Sequence, residues 1–79
     1  MTNPVEAKRN AYQKTNVSNV AYDLLTILQN KLKGIGAMEE YKIDCQEAGD
    51  QECLALLDEM EQQERGEIER LRQMVKSRL

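Results

Sequence analysis

Two long helix-type patterns in this chain are separated by only two residues, Gly49 and Asp50. The first pattern covers 18–48 and the second 51–78. Gly49 suits the left-handed position just past a helix end, and Asp50 suits the N-cap of the next helix. A connection this short makes the two helices antiparallel neighbours. The apolar residues of the first pattern are Val20, Ala21, Leu24, Leu25, Leu28, Leu32, Ile35 and Met38. Those of the second are Cys53, Leu54, Leu57, Met60, Ile68, Leu71 and Val75. Steps of three and four dominate both, the period of one helix face. The spacing therefore predicts an all-α fold, a long antiparallel two-helix hairpin.

Upstream, Asn3, Pro4 and Glu6 resemble a capping-box start, which predicts a short helix over 4–14. Its apolar content is thin, so it must dock on something. Residues 15–18 should break or bend the chain, with Asn16 or Ser18 capping the first long helix. Gly34 and Gly36 fall inside that helix and weaken it. They mark close helix packing or a local bulge, or else room for a ligand or a partner backbone.

The chain has 79 residues, enough for one helical domain over 1–79. With 32% charged residues and 4% aromatics it has the composition of solvated helices rather than of a sheet. The net charge of -3 leaves no dominant basic face, which argues against nucleic acid as a partner. No apolar run reaches the roughly 18 residues of a membrane span. No leader-like segment is read at the N-terminus, so a cytoplasmic location is expected. The chain has no histidine. That removes Ser-His-Asp and Cys-His catalysis and every His-ligated metal.

The second apolar face is interrupted between Leu57 and Ile68. Glu64, seven residues after Leu57 and four before Ile68, points where the core should be. Glu67 follows on an adjacent line. Glu39, four residues after Ile35, is expected on the apolar side of the first helix. An inward carboxylate must be paired, protonated, metal-bound or left wet. Lys31 lies about one turn from the level of Glu64 and is the expected competitor for it. A metal site here would be built from carboxylates, with Glu64 and Glu67 joined by Glu39 or Glu61. Such donors favour hard cations such as manganese, magnesium or calcium, with iron also compatible. Cys45 and Cys53 flank the turn and read as two small buried hydrophobes, with a disulfide allowed if both Cβ atoms face inward.

A two-helix hairpin cannot cover apolar faces this wide. Small scaffolds gain the missing core by oligomerising, so a homodimer at least is expected, closing a four-helix bundle. The acids would then occur twice about a common axis, the way bundles build di-metal sites.

The segment from Leu32 to Arg72 resembles the ferritin-like superfamily, and most of all the short hairpin of encapsulated ferritins. The residues that carry the resemblance are Gly-Ile-Gly-Ala-Met-Glu-Glu-Tyr at 34–41, Ala-Gly-Asp-Gln-Glu at 48–52, and Glu64-Arg65-Gly66-Glu67. It implies two hairpins meeting at a two-fold axis around a di-iron centre that oxidises ferrous iron. Glu64 matches the family's glutamate, and Glu67 stands where its histidine would be. The first-helix ligand position falls near Gly34. The expected function is thus a ferritin-like homo-oligomer holding iron or manganese through Glu39, Glu61, Glu64 and Glu67. The alternatives are a metal-free structural or interaction module on the same hairpin, and an adaptor that binds a partner protein through residues such as 1–16.

Overall fold

The computed structural model of the chain describes residues 3–4 and 13–79. Apart from its two ends, the short helix expected over 4–14 lies outside the described residues. Two helices make up the rest: α1, Asn19–Ala48, and α2, Gln51–Lys76. They pack against each other as an antiparallel hairpin, and no strand occurs among the described residues. At 30 residues, α1 is about 45 Å long.

The helix ends follow from local chemistry. Asn16 turns left-handed at φ 56°, and asparagine tolerates that region better than most residues. Ser18 then caps α1, its hydroxyl accepting from the Ala21 N–H at 3.1 Å. At the other end, Gly49 is left-handed at φ 68°. The Gly49 N–H donates to the Gln46 carbonyl at 3.1 Å and the Asp50 N–H to the Cys45 carbonyl at 2.9 Å. This pair of bonds is a Schellman turn, which satisfies carbonyls that the helix end would leave orphaned. Asp50 caps α2 by accepting from the Cys53 N–H at 3.0 Å. Glu52 in the first turn and Lys76 in the last turn of α2 both complement its dipole. The expected end at 78 is two residues long, since α2 stops at Lys76 and Ser77–Arg78 form a turn.

The seam between the helices follows a strict alternation of steps of three and four. On α1 it runs through Ala21, Leu24, Leu28, Lys31, Ile35, Met38, Lys42 and Cys45, all buried or half-buried. On α2 it runs through Leu54, Leu57, Glu61, Glu64, Ile68, Leu71 and Val75, equally withdrawn from solvent. This is the 3.5-residue repeat of an antiparallel coiled coil. The seam therefore includes lysines on one helix and glutamates on the other. Leu25, Leu32 and Met60, expected in the apolar faces, are 37%, 53% and 45% exposed. They lie one line off the seam. Gly34 and Gly36 sit in unbroken helix, and a Cβ on either would meet nothing within 4 Å. Close packing within the hairpin and a bulge are thus both ruled out for them.

Candidate functional site

The interruption in α2 is bridged from α1. Lys31 Nζ donates to Glu64 Oε1 at 3.3 Å and also to Glu67 Oε2. One ammonium thus spans both acids of the Glu-x-x-Glu spacing. Glu64 and Lys31 are half-buried, whereas Glu67 is more open. The two acceptors hold the Lys31 ammonium above its ordinary value, the Glu67 bond first, against a smaller opposing effect of burial.

A second bridge lies nearer the turn. Lys42 Nζ donates to Asp58 Oδ1 at 2.8 Å and to Glu61 Oε2 at 3.0 Å. Two of these groups are less exposed: the side chains of Lys42 and Glu61 are 14% and 10% accessible, whereas Asp58 is open to solvent. Bonds to Asp58 and then Glu61 raise the Lys42 ammonium above its ordinary value. The Lys42 bond lowers Glu61 below the usual carboxylate range, against the opposing effect of burial, with Arg65 and Glu39 adding smaller contributions. Arg65 stands 3.6 Å from Glu61 one turn along α2. Glu61 Oε1 is nevertheless buried with no hydrogen-bond partner among the described residues.

The four acids singled out by sequence are therefore split. Glu64 and Glu67 are joined through Lys31. Glu61, one turn away, belongs to the Lys42 cluster and is the buried acid of the seam, the place sequence spacing assigned to Glu64. Glu39 is exposed rather than inward. It continues the line of Leu25 and Leu32, which leaves the seam. Lys42 was not anticipated. The signal that finds it is the step pattern through Leu28, Lys31, Ile35 and Met38, which reaches Lys42 only when lysine is allowed on the inner face.

The di-iron centre implied by the resemblance can be tested on these donors. Its expected first-helix position falls near Gly34, which has no side-chain donor. Its second-helix pair already points its oxygens at an ammonium. Among the described residues no group of three or more Asp, Glu or Cys side chains is arranged to hold a metal. As placed, Glu64 and Glu67 point at one ammonium rather than at a shared cation position.

One broad side of the hairpin has a different character. Seven-residue spacing aligns Val20, Ile27, Gly34 and Tyr41 on α1, and Met60, Glu67 and Met74 on α2. In an antiparallel pair these lines flank the same side of the seam. Ile27, Lys31, Leu71 and Met74 line one open depression there of about 520 Å³. Val20, Ile27, Tyr41, Met60 and Met74 are each 45–57% exposed, so this side is largely apolar, interrupted by the Lys31–Glu67 pair. No helix is long and apolar enough to cross a membrane among the described residues.

Comparison with protein-family models, with curated proteins and with solved structures finds no match to this chain.

Proposed function

We propose that this chain is a self-associating helical hairpin of ferritin-like type, acting as a structural module that needs no metal. Two copies would close a four-helix bundle through the side carrying Val20, Ile27, Gly34, Tyr41, Met60 and Met74. The observation that carries the metal-free reading is Lys31, whose ammonium stands between Glu64 and Glu67 where a cation would have to be. Association is supported by the shortage of core. The buried apolar residues among those described are Ala21, Cys45 and Val75. A single layer of two helices needs a second layer to bury its apolar stripes. Gly34, midway along the apolar side, gives a partner's backbone room to approach.

A second reading keeps iron or manganese, held by carboxylates around Glu61, drawn from Glu39, Glu64 and Glu67. The observation in its favour is the unpartnered, buried Glu61 Oε1, since an orphaned acceptor is costly and a cation would satisfy it.

Light scattering on the full chain, joined to melting curves with and without manganese or anaerobic ferrous iron, tests both. A dimeric or larger mass with no metal-induced shift is expected, because only a ligand that prefers the folded state raises stability. A monomeric mass at full helicity would sink the bundle. A rise in melting temperature on adding metal would favour the second reading.

A further inference from the structure

The two cysteines lie at the closed end of the hairpin, next to the Schellman turn. Cys45 is the last seam residue of α1, and Cys53 is in the first turn of α2. Their sulfurs are 3.1 Å apart, and the Cys45 thiol donates to the Cys53 sulfur. That separation is only about 1 Å longer than a disulfide bond of about 2.05 Å. Both are free thiols. The capped turn already holds the two helices at this spacing, so bond formation needs a rotation of side chains and little backbone movement.

We propose that Cys45 and Cys53 form an oxidation site: a vicinal dithiol that a small-molecule disulfide converts into an intrachain disulfide, stapling the closed end of the hairpin. The half-buried Cys53 is the reachable sulfur, and Cys45 is buried. Cys53 gives up its proton and attacks the disulfide reagent, releasing one thiolate and leaving a mixed disulfide. Cys45 then gives up its proton, attacks the Cys53 sulfur and expels the second thiolate. Two electrons pass from the cysteines to the reagent, whose two released thiolates take up the two protons. The thiol of Cys45 is pushed up to about 11, first by its bond to Cys53, then by burial and the nearby Asp50 and Asp44. Thiolate, not thiol, is the nucleophile. Both steps need a thiolate, so alkaline pH accelerates the reaction.

The probe is oxidised glutathione, applied to the reduced full-length chain and read by intact mass, free-thiol titration and thermal melting. The wild type should lose two hydrogen atoms and both thiols, carry no adduct, and melt higher than the reduced protein. Cys45→Ser, checked for helicity by circular dichroism, should retain one glutathione on Cys53. A wild type that ends as a stable glutathione adduct, or as a disulfide-linked pair of chains, would overturn the proposal. So would an intrachain bond that lowers or leaves unchanged the melting temperature, since the bond would then not stabilise the closed end of the hairpin. These readouts do not depend on self-association or on metal.

Discussion

Lys42 on α1 and Glu61 on α2 meet within the seam, with Nζ 3.0 Å from Oε2 and both side chains largely withdrawn from water. Removing one partner of such a pair strands the other, whereas replacing both by apolar groups is often neutral or stabilising. Lys42→Met and Glu61→Leu should each lower the melting temperature. The double variant should melt at or above the wild type, helped by removal of the unpartnered Oε1. A double-mutant cycle in thermal or urea unfolding checks this. A double variant less stable than both singles would contradict the geometry.

The same charges set the pH dependence. Glu61 is lowered from 4.5, so its contribution is present above pH 4.5 and is lost as pH falls through its still lower folded value. Lys31 and Lys42 are raised from 10.5, so their contributions are present below pH 10.5 and are lost as pH rises through their higher folded values. Urea midpoints should therefore be flat across the neutral range and fall at both extremes. The acid limb should be shallower in Glu61→Gln. An equally steep limb in that variant would assign it to other carboxylates.

Gly66 occupies helix interior with open space around a built Cβ. Gly66→Ala should stabilise the chain by about 0.5–1 kcal/mol, the usual helical cost of glycine relative to alanine. Gly34→Ala should gain helix stability in the same way. Being midway along the apolar side, however, it should weaken self-association in a dilution series read by light scattering. Tighter association in Gly34→Ala would place the interface elsewhere.

Leu57 packs in the seam, whereas its neighbour Leu56 is 53% exposed. Leu57→Ala should cost about 2 kcal/mol, near the low end for core leucine truncation because the site is half-buried. Leu56→Ala should stay within about 0.5 kcal/mol, as surface changes do. Leu28→Ala, in the seam of α1, should behave like Leu57→Ala. Chemical denaturation of the three variants ranks them, and a reversal of Leu56 and Leu57 would mean that the faces are exchanged.

Much of the hairpin was legible from local signals. Gly49 and Asp50 could be placed as stop and start because left-handed backbone and side-chain capping depend on a few adjacent residues. Ser18, as N-cap, is equally local. The contest between Lys31 and a metal for Glu64 was also visible, since helical rise alone puts them within about one turn of each other.

By itself, then, the sequence determined two long helices, their turn and their antiparallel pairing, because capping and a 3.6-residue period are written in neighbours along the chain. Only the tertiary structure decided which line of each helix became the seam. Apolar identity favoured Leu25, Leu32 and Met60, yet the contact line passes through Lys31, Lys42, Glu61 and Glu64. A charge is accepted on an inner face only when an opposite charge stands across from it, and that partner belongs to the other helix. The same reason admits Glu61 to the inner face beside Glu64, and more deeply, since its lysine is the less exposed of the two. That Cys45 and Cys53 lie level across the turn follows from their spacing, whereas their side chains turning toward each other was decided by the packing of the two helices.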